Sequence, residues 1–129
     1  MFEVNIDGAS AGNPGPSGAG IVIKQNGQVK HFSLPLGDMD NHLAEFTACK
    51  KALELCIENN ADTVWIRSDS QALVHAVEKE FVKSPQYKSM LLDILRLADQ
   101  IPLFFIKWVP SKENKMADEL ARKAIHLNG

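Results

Sequence analysis

The sequence predicts an α/β domain: a five-stranded mixed sheet with helices on both faces, built in three layers in the order βββ-α-β-α-α-β-α. Three observations carry this reading. Residues 2–34 alternate apolar and polar positions with period two, interrupted by glycine- and asparagine-containing turns. From residue 41 the apolar positions recur at helical spacing instead. Two later runs rich in β-branched and aromatic residues lie between helical stretches, the pattern of parallel strands joined by crossover helices.

Each element has its own local reason. Phe2, Val4 and Ile6 alternate with Glu3, Asn5 and Asp7, as in a strand with one buried face. Residues 8–18 hold two prolines and four glycines, Gly8, Gly12, Gly15 and Gly18, and read as a loop. A second strand begins at Gly20-Ile21-Val22-Ile23. Asn26-Gly27 is a strong hairpin signal and leads into a third strand over Val29–Leu34. A helix spans Asn41 to Asn59, with Phe46, Cys49, Leu53, Cys56 and Ile57 on one side. Thr63–Arg67 forms the fourth strand, and Ala72–Phe81 a short helix. Ser84-Pro85 breaks the chain before a helix running to about Gln100. Leu103–Val109 is nearly all apolar and predicts a central strand buried on both faces. The last helix covers about Asn114 to Leu127, with Ala117, Leu120, Ala121 and Ala124 inward. Trp65 and Trp108 fall in strands and are expected in the core.

The 129 residues fit one domain, 1–129, because a second core would leave each half too small to fold readily. At 45% apolar and 23% charged the composition is that of a globular chain and excludes disordered and fibrous classes. No run approaches the roughly 20 apolar residues of a membrane span, and the first residues lack a secretory pattern. Cys49 and Cys56 would stand about two helical turns apart, roughly 10 Å, too far for a disulfide. A reducing, cytoplasmic setting and no membrane partner are therefore expected; the sequence gives no sign of oligomeric state, and a monomer is assumed. The net charge of −2 lends no support to a large basic nucleic-acid footprint, although bound divalent cations can meet phosphates in place of lysines.

The acidic residues fall where chemistry would need them. Asp7 closes the first strand and Asp69 the fourth, while Glu45 and Asp118 lie in the first turns of two helices. Ligand sites in open α/β sheets gather beyond strand ends. Clustered carboxylates repel and raise one another's pKa, so something must hold them together. An all-oxygen donor set suits Mg²⁺ or Mn²⁺. Taken one at a time, each acid could equally be a surface charge or a helix cap.

The sequence around the acids is more specific. Asp7-Gly8-Ala9-Ser10, followed by Gly12-Asn13-Pro14-Gly15-Pro16 and Gly18-Ala19-Gly20, resembles the opening of ribonuclease HI. Asn41-His42-Leu43-Ala44-Glu45-Phe46 is similar to that family's asparagine-to-glutamate segment, and Ser68-Asp69-Ser70-Gln71 to its second aspartate motif. Asn114-Lys115-Met116-Ala117-Asp118-Glu119-Leu120-Ala121 resembles its last. The four segments occur in the family's order across nearly the whole chain.

The resemblance implies a ribonuclease H-like fold and hydrolysis of the RNA strand of RNA–DNA hybrids to 5′-phosphate and 3′-hydroxyl ends. It implies two Mg²⁺ ions, with Mn²⁺ a possible substitute, held by Asp7, Glu45, Asp69 and Asp118. Asn13, Asn41 and Gln71 match positions that touch the hybrid. The chain also departs from the family. The loop Pro110-Ser111-Lys112-Glu113 lacks the histidine many members carry there, leaving Glu113 as its only acid. Residues 80–88 are too short for the basic handle of some members. Asp40 stands where a hydroxyl residue commonly helps bind a DNA phosphate. These departures keep a second reading open, a binding or regulatory module on the same fold with little turnover.

Overall fold

The computed structural model describes residues 1–129. Its elements are β1 (Phe2–Ser10), β2 (Gly15–Gln25), β3 (Gln28–Met39), α1 (Asn41–Glu58), β4 (Thr63–Ser68), α2 (Gln71–Lys79), α3 (Pro85–Ala98), β5 (Leu103–Trp108) and α4 (Lys115–Ile125). A short 3-10 turn, Ser111–Glu113, precedes α4. The order is the expected one, and the strands form one sheet, β3-β2-β1-β4-β5. The three opening strands pair antiparallel, while β4 runs parallel to β1 and β5 parallel to β4. Asn26 and Gly27 both adopt positive φ, 51° and 77°, as a two-residue hairpin turn requires.

The main core lies between the sheet and α1, α2 and α3. Val4 and Ile6 of β1, Ile21 of β2, and Val64 and Ile66 of β4 meet Phe46, Cys49 and Leu53 of α1, Leu73 of α2 and Ile94 of α3. Burying each large side chain of this set stabilises the fold by about 1.5–3 kcal/mol. Cys49 and Cys56 are free thiols inside this layer, and burial pushes both up to about 12.

The opposite face is covered by α4 alone, which packs on β1, β2 and β3. Here close approach replaces bulk. Buried Ala117, Ala121 and Ala124 lie against Gly18 and Gly20 of β2, and a Cβ added at Gly20 would stand 2.0 Å from the Ala117 carbonyl oxygen. No larger residue fits there without moving the helix.

Three expectations are corrected. The glycine-rich segment is mostly strand: β1 continues to Ser10 and β2 begins at Gly15, and two of its four glycines, Gly8 and Gly18, serve helix packing rather than turning. The third strand likewise runs on to Met39, paired along β2 across a bulge at Ser17/Gly18. Finally, β5 is an edge strand and not a central one. Phe104 and Ile106 pack toward the core, but Leu103 and Phe105 are about half exposed on the face that α4 does not reach. That face is partly covered by its own side chains, with Phe105 beside Trp65 at 6.2 Å and the Arg67 guanidinium over the Trp65 ring.

Candidate active site

The sheet brings two of the acids together through strand register. In the parallel pair β1/β4, Ile6 lies opposite Ser68, so Asp7 and Asp69 emerge side by side at the same edge of the sheet. Glu45 joins them because α1 seats directly on the β1 backbone at Gly8. A Cβ at Gly8 would fall 2.3 Å from the Ala44 carbonyl carbon. The Gly8 N–H donates to Glu45 Oε1 and aims that carboxylate at the strand ends. Carboxylate oxygens of Asp7, Glu45 and Asp69 all lie within 4.8 Å of one another.

Asp69 is not the cap of the helix that follows it. Ser70 caps α2, its hydroxyl accepting from the Leu73 N–H at 3.1 Å, while the Ser68 hydroxyl accepts from the Ser70 N–H at 3.0 Å. The Asp69 carboxylate is thus left for the cleft. Its carbonyl accepts from the Trp108 indole N–H at 3.2 Å.

Asp118 enters from the other side of the sheet in the first turn of α4. Buried Asn114 fixes where that helix starts. Its amide donates to the Ile6 carbonyl at 2.8 Å and its side-chain oxygen accepts from the Asn5 amide at 3.0 Å. The residue before Asp7 and the turn that carries Asp118 are therefore tied together. Asp118 contributes to holding a proton on Asp7, and its own carboxylate is ion-paired with Arg122 one turn on. It stands outside the tight group of three.

Asp7 and Glu45 are each 6% exposed, and neither they nor Asp69 has a cationic partner. Burial, a proton shared with Glu45, and the charges of Glu45 and Asp69 hold the Asp7 carboxyl far above the usual range. Glu45 is raised as well, chiefly by burial, against lowering hydrogen bonds from Asp7, Gly8 and Ser70. Buried carboxyls that retain a proton for want of a counter-charge, and can exchange it for a cation, form an all-oxygen donor set that fits hard divalent ions.

The acids open into a cleft of about 580 Å³ whose rim includes Asn41, His42, Gln71, Trp108 and Ser111. Asn41 and Gln71 thus lie beside the acids. Asn13 does not line the cleft, being exposed in the turn between β1 and β2. A larger groove of about 680 Å³ adjoins along α2 and shares Gln71 and Trp108, but none of the four acids lines it. Trp108 is a correction to the expected core position, 41% exposed at the junction of the two. Trp65 remains half-buried on the outer sheet face. Asp40 proves to be the N-cap of α1, accepting from the Leu43 N–H at 2.8 Å and from the Tyr87 hydroxyl at 3.2 Å. Sequence reasoning missed the roles of Asn114, Ser70 and Arg122, although the spacing of Arg122 four residues after Asp118 was visible as a helical ion pair.

Comparison with known proteins agrees with this architecture. A family model described as "Reverse transcriptase-like" matches residues 5–124. The EbsB protein of Enterococcus faecalis is 39% identical over 97% of this chain and 94% of its own length. Ribonuclease H of Escherichia coli is 31% identical over 96% of this chain and 88% of its own length. A mycobacterial relative, bifunctional protein Rv2228c, is 28% identical, but the chain spans only 35% of its length. Among solved structures, RNase H1 of the archaeon Halobacterium salinarum superposes with a TM-score of 0.91 at 28% identity, covering 97% of each chain. LC11-RNase H1, solved in complex with an RNA/DNA hybrid, gives 0.89 at 29% identity over 98% of each. With the fold, the strand register and these relatives in agreement, the chain belongs to the ribonuclease H family.

Proposed function

We propose that this protein is a metal-dependent endoribonuclease that hydrolyses the RNA strand of RNA–DNA hybrids, leaving 5′-phosphate and 3′-hydroxyl ends. The observation that carries the reading is the convergence of Asp7, Glu45 and Asp69 to within 4.8 Å, unpaired and mostly buried, with Asp118 beside them. The hybrid-bound relative supports the choice of substrate. In this reading the four acids hold two Mg²⁺ ions, with Mn²⁺ able to replace them. Divalent ions held there supply a lowered pKa for an attacking water and charge neutralisation at the leaving 3′ oxygen.

The chain's own groups do the remaining work. The Gly8 N–H keeps Glu45 aimed at Asp7, and Ser70 keeps α2 capped without drawing on Asp69. Asn41 and Gln71 flank the acids at the cleft rim, where amides can both donate to and accept from sugar hydroxyls and minor-groove edges. Asn13, on its exposed turn, offers a further contact to a hybrid long enough to reach it. A binding module with little turnover is the competing reading. It is favoured by the 3-10 turn Ser111–Glu113, which stands before the Asp118 helix without a histidine.

Labelled RNA–DNA hybrid, single-stranded RNA and duplex DNA, each incubated in Mg²⁺ and in Mn²⁺, separate these readings. Cleavage of the hybrid alone is expected, with Asp69→Asn lowering the rate by at least about 100-fold. Retention of the hybrid without cleavage in either metal, at high protein concentration, would establish the binding module instead.

A further inference from the structure

We propose that Arg122 is the resident counter-cation of the metal-free site, and that an ion engaging Asp118 competes with it for that carboxylate. The inference rests on the metal-nuclease reading above and deepens it. Four carboxylates converge here, yet only one of them has a basic partner. That partner is Arg122, one helical turn beyond Asp118 on α4 and paired with its Oδ2. From β1, α1 and the β4–α2 junction the groups facing the cluster are the acids Asp7, Glu45 and Asp69, none of them ion-paired, with His42 of α1 on the same rim and paired to none of them. Arg122 therefore lies at the boundary between the cluster and solvent, and it engages the acid that stands outside the tight group of three.

The geometry gives the two sides of the site different tasks. Asp7, Glu45 and Asp69 present oxygens with no competing cation. Asp118 presents a carboxylate whose Oδ2 is already engaged by a guanidinium, so an ion shared with Asp118 competes with that charge. Arg122 is anchored only through its helix, and its side chain is 66% exposed. It can swing into water when displaced, and such exposed pairs are weak. The competition is correspondingly modest and is screened by salt. Arg122 acts through Asp118, as a positioning residue.

Calorimetric titration of the full chain with Mn²⁺, and separately with Mg²⁺, at low ionic strength tests this. Arg122→Gln is compared with Lys123→Gln, an equal charge change on the same exposed helix end but with no ion pair to Asp118. Unchanged thermal unfolding midpoints check that both variants fold. Arg122→Gln is expected to tighten binding by about two- to five-fold, and Lys123→Gln by much less. Raising the salt concentration should narrow the difference. Equal affinities in the two variants, or weaker binding in Arg122→Gln, overturn the inference while leaving the metal site standing. Absence of any binding heat in the wild type with either ion overturns the metal reading itself.

Discussion

Asp7 carries a cost in the absence of metal, and the cost has a sign that can be measured. Its carboxyl keeps a proton in the folded protein at pH values where the unfolded chain, with an aspartate pKa near 4, has released it. The folded state then binds more protons than the unfolded state, so stability from this group is greatest below about pH 4 and falls as pH rises toward the raised value. Denaturant unfolding in a chelator at pH 5, 7 and 9 should show that decline in the wild type. Asp7→Asn should flatten it and raise stability at pH 7–9 by about 1–3 kcal/mol. A slope that is the same in both proteins would mean the proton sits elsewhere. The two cysteines shift in the same direction, raised by burial to about 12, but their window opens only above about pH 9, so at neutral pH their thiols serve the core alone.

At the scale of elements, the decisive joint is that between β1 and α4. Asn114 spans it with two hydrogen bonds, and Asn5 contributes the second. Asn114→Ala leaves the Ile6 carbonyl without its side-chain donor in a buried place, which should cost about 1–3 kcal/mol in denaturant unfolding. Asn5→Ala removes one hydrogen bond at a less buried position and should cost less. Because the same joint sets the approach of Asp118 to Asp7, Asn114→Ala should also weaken Mn²⁺ binding. A loss of stability with unchanged metal affinity would make it a fold residue only. Asp40 shows the reverse relation between element and site. Its carboxylate already accepts from a helix N–H and a tyrosine hydroxyl, so it acts first as the cap that starts the helix bearing Glu45.

For the whole molecule, charge limits how it can hold a polyanion. The net charge is −2, and no Lys or Arg lines the acid cleft: Lys83 lines the adjoining groove, Lys112 and Lys115 flank the start of the helix that bears Asp118, and Arg122 pairs with Asp118. About three phosphate contacts would make the hybrid KM rise roughly ten- to forty-fold between 50 and 200 mM salt. A dependence much steeper than this would point to a basic surface beyond the cleft. The sequence carried most of this architecture. Period-two and helical spacing gave the element order, and four motifs gave the acids. What it could not carry was solvent contact. An apolar run such as residues 103–109 reads alike for a strand buried on both faces and for an edge strand left bare beyond the reach of α4. Glycine also reads as loop at Gly8 and as an ordinary strand start at Gly20, where both mark helices resting on strand backbone. Asn114 was visible only as the first letter of a motif, because a buried amide bridge joins residues more than a hundred positions apart.

Those two glycine contacts reach further than packing. At Gly8 and at Gly20 the distance from sheet to helix is set by main chain touching main chain, with no side chain between to act as a shim. Glu45 and Asp118 therefore inherit their spacing from backbone-to-backbone contact and not from the filling of the core. Over long divergence, core residues can exchange volume with one another while the carboxylates stay in place. The sequence can drift widely around a site whose gauge is fixed by two missing methyl groups.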